Sequence, residues 1–202
     1  MTPPAPEAAT VIALIGNPNT GKSTLFNALT GLRQKTANYP GVTVERHTGE
    51  IVLAGQPVTL VDLPGAYSLA AQSPDEMVAI DVLLGHVTDL PRPRAVLAVV
   101  DATNLRRNLF LVTQLAELGL PLVVALNVSD VAESRGIRID TAELGRQLGA
   151  TVVRVSAARE TGLPELRAAL EQAIAAPAPP ALRVLPEGGA AAAELGQRLR
   201  TA

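Results

Sequence analysis

VIALIGNPNTGKSTLFNALTG, residues 11–31, is the stretch that decides the fold. A short apolar run leads into the pattern GxxxxGKS at Gly16–Ser23, and a helical segment follows that ends at Gly31. Glycines let backbone N–H groups turn toward a phosphate, and the positive end of the helix adds to the attraction. In this pattern Lys22 reaches the terminal phosphates and the Ser23 hydroxyl completes a Mg²⁺ shell. Residues 16–23, the phosphate loop, therefore predict a site for a nucleotide phosphate.

Further apolar runs outside this stretch predict the rest of the sheet. They lie at Ala95–Val100, Leu122–Leu126 and Thr151–Val155, and they are continuous, as in strands buried on both faces of a parallel sheet. A hairpin over residues 44–63, turning at Ala54-Gly55-Gln56, adds two strands. Helical segments alternate with the runs. We therefore expect a three-layer α/β fold with a mostly parallel six-stranded sheet and one antiparallel hairpin strand.

Composition excludes several other functions. The chain has 202 residues, a formal net charge of −2 and no Cys, which excludes disulfides, iron–sulfur clusters and Cys nucleophiles. Its two His, His47 and His86, are far apart in sequence, so we expect no Fe²⁺ site. Nucleic-acid binders normally carry a basic excess, so we expect no nucleic-acid partner. Residues 1–10 lack the basic start and apolar stretch of a secretory signal, and we expect a soluble, intracellular chain.

A second phosphate-site motif is DLPG, residues 62–65, which begins 40 residues after Lys22. A carboxylate at Asp62 can hold the water shell of Mg²⁺, and the N–H of Gly65 can meet a γ-phosphate. DxxG alone also fits a plain turn. Its position after a phosphate loop favours the phosphate interpretation.

Two later motifs predict recognition of a base. NVSD, residues 127–130, follows an apolar run, and Asp130 can accept two hydrogen bonds from guanine that adenine cannot offer. The alternative is an Asn/Asp helix cap. Val128 stands where the usual NKxD pattern has a Lys that covers the base, so that packing must come from elsewhere. After the last run, the N–H of Ala157 could donate to guanine O6. Ligands bind at the carboxyl ends of strands in such sheets.

In this order the motifs make the chain similar to a small translation-factor-class GTPase. It most resembles the N-terminal G domain of the ferrous iron transport protein B (FeoB) family, over residues 10–175. The most specific stretch is residues 16–50, with GNPNTGKSTLFNALTG and NYPGVTVERHTGE. DLPGAYSL and VVDATNLRRNLFLVTQL add to the resemblance. It implies a P-loop GTPase (Ras-like) fold that binds GTP or GDP with Mg²⁺ and, as a candidate, K⁺.

The resemblance also assigns roles by position. Thr43 would meet Mg²⁺ and the γ-phosphate, after a switch I loop at Gln34–Val42, and Leu63–Ser73 would be switch II. Lys22, Thr43 and Gly65 are the catalytic candidates, and Ser23, Thr43 and Asp62 the Mg²⁺ ligands. The nucleotide-binding residues are Asn17, Pro18, Asn19, Thr20, Gly21, Lys22, Ser23, Thr24, Asp62, Gly65, Asn127, Val128, Asp130, Ser156, Ala157 and Ala158.

Hydrolysis is expected to be slow. Ala66 stands where many GTPases carry a water-orienting Gln, and Arg33 and Arg46, which flank switch I, are expected to face solvent. Asn19 is the candidate K⁺ ligand, with backbone carbonyls near Ala37 and Tyr39 completing the shell; the alternative is that Asn19 only braces the loop. A nucleotide-dependent binding switch without meaningful hydrolysis is a further alternative.

The expected organisation is a flexible N-terminus (residues 1–9), a GTP-binding G domain (10–175), a Pro/Ala linker (176–181) and a remnant of a helical domain (182–202). The resemblance implies downstream helical and membrane domains of a ferrous iron transporter as partners, and a position on the cytoplasmic side of the membrane. The alternative, an RNA- or ribosome-associated GTPase, predicts a basic module after the G domain. Arg183, Arg198 and Arg200 against Glu187 and Glu194 are not such a module.

Overall fold

The computed structural model describes residues 9–31, 34–70, 73–177 and 179. Most of the expected N-terminal segment and all of the expected remnant at 182–202 lie outside these residues. In the described part of the chain the strands are β1 (Thr10–Gly16), β2 (Gln34–Asn38), β3 (Glu45–Leu53), β4 (Gln56–Asp62), β5 (Ala95–Asp101), β6 (Leu122–Asn127) and β7 (Thr151–Arg154). The helices are α1 (Lys22–Thr30), α2 (Pro74–Leu84), α3 (Leu105–Ala116), α4 (Ser129–Ser134), α5 (Thr141–Leu148) and α6 (Leu163–Ala175).

One sheet has the strand order β2-β3-β4-β1-β5-β6-β7. Strands β4, β1, β5, β6 and β7 are parallel, and β3 pairs antiparallel with both β4 and β2. The hairpin between β3 and β4 turns at Ala54 and Gly55, which both have positive φ, as a two-residue hairpin loop requires. The fold class is confirmed.

Two apolar clusters pack against opposite faces of the sheet and make it the middle of three layers. Side chains alternate along β1: Val11, Ala13 and Ile15 face the cluster formed with α2, α3 and α5, whereas Ile12 and Leu14 face α1 and α6. Each face of the central strand is thus covered, which is why its sequence is a continuous apolar run.

The sheet has seven strands rather than the six expected, because the first part of the expected switch I loop forms β2. All five residues of β2 are exposed. Its start is fixed by the amide of Gln34, which donates to Asn27 Oδ1 at 2.8 Å and to the carbonyl of Gly31 at 2.9 Å. A polar strand with backbone pairing on one side only gives no apolar pattern in the sequence.

Candidate nucleotide-binding site

The phosphate loop connects β1 directly to α1, as the sequence predicts. Gly21 immediately precedes α1 with φ +79°, and a Cβ there would lie 2.4 Å from Asn127 Nδ2, so only glycine fits. Thr20 is buried and its hydroxyl donates to the carbonyl of Asn17 at 2.9 Å. Asn19 has φ +66° and is exposed beside Pro18. The loop is therefore held from within and leaves its tip open to a ligand.

The charged groups of the expected phosphate and Mg²⁺ sites meet at the end of β4. Lys22 Nζ forms an ion pair with Asp62 Oδ1, and the two side chains are 13% and 11% exposed. Ser23 is exposed at the start of α1 beside Lys22, and Thr24 follows it. Residues that are 40 apart in sequence thus converge because β4 is the parallel neighbour of β1.

The start of switch II lies against the phosphate loop. The N–H of Ala66 donates to the carbonyl of Gly16 at 3.2 Å, and a methyl group on Gly65 would stand 3.4 Å from Pro18. Ala66 is only 1% exposed. Farther along, the guanidinium of Arg107 lies 4.5 Å from the ring centre of Tyr67, which anchors the segment on α3. The position after DxxG is therefore packed into the fold rather than facing a ligand.

Asn127 joins the phosphate loop to the last loop of the site. Its Nδ2 donates to the carbonyl of Thr20 at 2.9 Å, and its Oδ1 accepts from the N–H of Ala157 at 2.9 Å. The side chain is 3% exposed. The sequence predicts that the N–H of Ala157 donates to guanine O6, and this stays a prediction; in the structure the same N–H donates to Asn127 Oδ1. Both ends of one amide thus hold two loops together.

The expected base-reading carboxylate lies at the mouth of the same site. Asp130 is in the first turn of α4, after Val128, which has φ +60°, and its Oδ2 accepts from Arg159 Nε at 2.9 Å. A hydrogen bond from the hydroxyl of Ser156, and then the charge of Arg159, lower the pKa of Asp130 below its ordinary value. The carboxylate is ionised at neutral pH. Of the last loop, Ser156 and Ala157 are buried and Ala158 is exposed.

The structure does not bring Thr43 to these residues. It is exposed in the turn between β2 and β3, where the N–H of Tyr39 donates to the carbonyl of Val44 at 3.0 Å. His47 is the residue of β3 that pairs with Asp62, and Thr43, four residues before it, lies beyond the start of that strand. Ala37 is on β2, three strands from β1. The expected Mg²⁺ and K⁺ shells are therefore assembled only in part.

Three residues have roles in this region that the sequence reasoning missed. Arg159 reaches Asp130, as described. Arg46, expected to face solvent, has a side chain only 16% exposed; it donates to Asp89 Oδ2 at 2.8 Å and lies 5.6 Å from the ring centre of Tyr39. Tyr39 is 3% exposed and its hydroxyl has no partner. Arg33 lies outside the described residues. The contacts of Arg159 with Asp130 and of Arg46 with Asp89 join segments that are distant in sequence, which residue spacing does not reveal.

A phosphate loop joined through Asn127 to the loop beside an ionised carboxylate, at the carboxyl edge of a largely parallel sheet, defines a P-loop GTPase domain. More particularly, the chain belongs to the FeoB family: the model of ferrous iron transport protein B matches residues 10–170. The Fe(2+) transporter FeoB of Salmonella typhimurium is 48% identical over 165 residues, 80% of this chain and 21% of the transporter. The chain thus spans about a fifth of the curated relatives it matches.

Solved structures agree with this membership. The FeoB G domain of Methanococcus jannaschii is 44% identical, with a TM-score of 0.71 over 84% of this chain and 100% of that one. A GDP-bound mutant of the S. thermophilus NFeoB is 45% identical, with a TM-score of 0.75 over 81% of this chain and 61% of that one.

None of the helices in the described part of the chain is long and apolar enough to cross a membrane. Across the described ranges, no three His, Asp or Glu side chains form a group that could hold a metal ion.

Proposed function

We propose that this chain binds GTP and GDP with Mg²⁺ and acts as the guanine-nucleotide switch of a ferrous iron transporter, on the cytoplasmic side of the membrane. The observation that carries the proposal is the bridge of Asn127. It ties the phosphate loop to the loop beside Asp130, so that a site for phosphates and a reader of guanine form one continuous surface. The GDP-bound NFeoB relative supports the choice of ligand.

The phosphate end fits a magnesium nucleotide. Ser23 and Asp62 offer a hydroxyl and a carboxylate oxygen, which are the ligand types Mg²⁺ prefers, and they flank Lys22. Bound Mg²⁺ would neutralise charge between the β- and γ-phosphates. Lys22 would exchange Asp62 for phosphate oxygens, and the N–H groups of residues 17–24 would surround them. Lys22→Ala and Ser23→Ala should each weaken nucleotide binding.

We further propose that GTP hydrolysis is slow. Ala66 is buried and cannot orient water, so Lys22, Thr43 and Gly65 are left as the catalytic candidates. K⁺ beside Asn19 would supply the positive charge that an arginine finger supplies elsewhere. The described hairpin holds Ala37 on β2, so the carbonyls of switch I would reach that ion only after switch I moves.

The transporter assignment rests on family membership. Relatives named Fe(2+) transporter FeoB are about five times longer than the matched segment, so helical and membrane domains of the same protein are the proposed partners. An RNA-associated GTPase is not favoured, because the family model that matches residues 10–170 is that of ferrous iron transport protein B.

Asp130→Asn tests the nucleotide assignment. Two hydrogen bonds to a charged acceptor are lost, and GDP should bind at least about a hundredfold more weakly while xanthosine diphosphate gains. Fluorescent-nucleotide titration measures both. Glu133→Gln, which removes an exposed carboxylate on the same helix, is the control and should change neither affinity. An Asp130→Asn variant that binds GDP like the parent would remove Asp130 as the base reader.

The proposed role of K⁺ in GTP hydrolysis is tested separately. GTP turnover should be faster in KCl than in NaCl at equal ionic strength, and Asn19→Ala should abolish the difference with little change in nucleotide affinity. Equal rates in both salts for the unmodified chain would contradict it and leave a slow switch that does not respond to the cation.

A further inference from the structure

The base reader is already occupied by another residue of the chain. Asp130 Oδ2 accepts a hydrogen bond from Arg159 Nε at 2.9 Å, and the Arg159 side chain is 70% exposed. Asp130 itself is only 20% exposed. Ser156, which also hydrogen-bonds the carboxylate, is 3% exposed and approaches from inside the fold. Arg159 thus occupies Oδ2, one of the two carboxylate oxygens, and part of the Asp130 side chain stays open beside it.

Guanine needs both oxygens of the carboxylate. Its N1–H and its exocyclic amine donate side by side, one to each oxygen of a carboxylate. Hypoxanthine has the N1–H and lacks the amine, so it needs one oxygen only. A guanidinium on Oδ2 therefore leaves room for hypoxanthine at Oδ1 and stands in the way of the guanine amine.

We propose that Arg159 is a specificity-determining residue that competes with the guanine amine for Asp130, and so weakens the discrimination of guanine from hypoxanthine. The proposal rests on the proposed nucleotide site. The competitor is held by one partially exposed ion pair, a weak kind of contact, so displacing it should cost guanine about two- to fivefold in affinity. Hypoxanthine nucleotides should lose less.

The test compares GDP and inosine diphosphate on the 202-residue chain and on Arg159→Ala. Removal of Arg159 should raise GDP affinity about two- to fivefold and inosine diphosphate affinity less than twofold, so that the ratio of the two rises. The GDP gain should shrink at high salt, because salt already screens the ion pair in the parent. Arg146→Ala is the matched control: Arg146 is a 73% exposed arginine paired with Glu143 at 2.6 Å on α5.

The outcomes separate the inference from the function beneath it. If the parent binds no guanine nucleotide, the proposed function fails. If the parent binds GDP and Arg159→Ala lowers its affinity, leaves it unchanged, or raises GDP and inosine diphosphate equally, the competition is refuted while the function stands. In an Asp130→Asn background, Arg159→Ala should no longer change the GDP-to-inosine diphosphate ratio; a persisting change would show that Arg159 acts elsewhere.

Discussion

At the scale of single residues, one buried amide organises the site. Asn127 donates from Nδ2 to the carbonyl of Thr20 and accepts at Oδ1 from the N–H of Ala157, which are 107 and 30 residues away. Buried backbone groups that lose a partner cost free energy, so this side chain carries structure as well as any contact with the base.

Asn127→Ala should lower the free energy of unfolding by about 2–4 kcal/mol, because it leaves a carbonyl and an N–H unpaired. It should also weaken GDP binding by tenfold or more, since the two loops lose their common anchor. Urea unfolding and nucleotide titration measure the two effects. Asn108→Ala is the control, because Asn108 is equally buried and bonds the backbone at Asp101 and Asn104. This variant should lower the free energy of unfolding and leave the GDP affinity unchanged. Unchanged affinity in Asn127→Ala would show that the bridge does not shape the site.

Tyr39 presents the opposite case, a buried hydroxyl with no partner. Burial raises its pKa to about 12, against an opposing effect of Arg46, so the folded chain keeps the phenol neutral at pH values where the unfolded chain ionises it. At neutral pH the unpaired hydroxyl does not stabilise the fold. Above pH 10 the phenol ionises more readily in the unfolded chain, which favours unfolding.

Tyr39→Phe should raise the free energy of unfolding by about 1 kcal/mol at pH 7, because an unpaired polar group leaves the interior. The parent should also lose stability as the pH rises from 10 toward 12, and the variant should lose less. Urea unfolding at pH 7 and pH 11 measures this. Tyr67→Phe, at a side chain 42% exposed, is the control and should change neither value by much. A destabilised Tyr39→Phe would mean that the hydroxyl has a partner after all.

Much of the site at this scale can be predicted from the sequence, and the contacts that the sequence does not predict share one cause. The phosphate loop, Asp62 and Asp130 lie at the carboxyl edge of the sheet as their motifs require. The contacts of Arg159, Arg46 and Tyr39 join segments whose approach depends on loop conformation. Spacing in sequence carries no information about those contacts.

At the scale of elements, switch I is part of the sheet in this structure. Residues 34–38 pair with residues 45–49, and only six residues turn between the two strands. So short a turn cannot carry Thr43 back to the level of Asp62 while both strands stay paired. The proposed contact of Thr43 with Mg²⁺ and the γ-phosphate would therefore require the hairpin to open. The sequence did not reveal β2 because its exposed residues, QKTAN, have no apolar face to bury.

Amide hydrogen exchange of residues 34–38 should report this opening. Those amides of residues 34–38 that pair with β3 should be protected in the free chain and with GDP. They should exchange at least tenfold faster with a non-hydrolysable GTP analogue and Mg²⁺, because Thr43 then leaves the hairpin. Thr43→Ala should bind GDP normally and show no such change. Full protection of β2 at a saturating concentration of the GTP analogue would mean that Thr43 does not engage the γ-phosphate, or that it does so without unpairing.

At the scale of the whole molecule, the order of the strands decides where a ligand can lie. The phosphate loop, Asp62, Asn127 and Ser156 each lie at or just after the carboxyl end of a parallel strand, so all four are at one edge of the sheet, with β1 in the centre. The opposite edge holds the turns between helices and strand starts. The sequence predicts this from four apolar runs, because their order and right-handed crossovers allow few other arrangements.

The Asn127 amide has a thermodynamic consequence for the molecule as a whole. We expect a ligand fragment that orders the phosphate loop to order the loop at Ala157 as well, because Asn127 bonds both. Guanosine and tripolyphosphate, offered as separate molecules, should then help each other bind by about fivefold or more, and by the same factor in either order of addition. Calorimetric titration of each fragment with and without the other measures that factor, and Asn127→Ala should return it to one. Independent binding of the two fragments to the unmodified chain would show that the bridge transmits nothing. If the fragments do cooperate, part of the affinity for an intact nucleotide arises because the conformational entropy of the two joined loops is lost only once for both parts of the ligand.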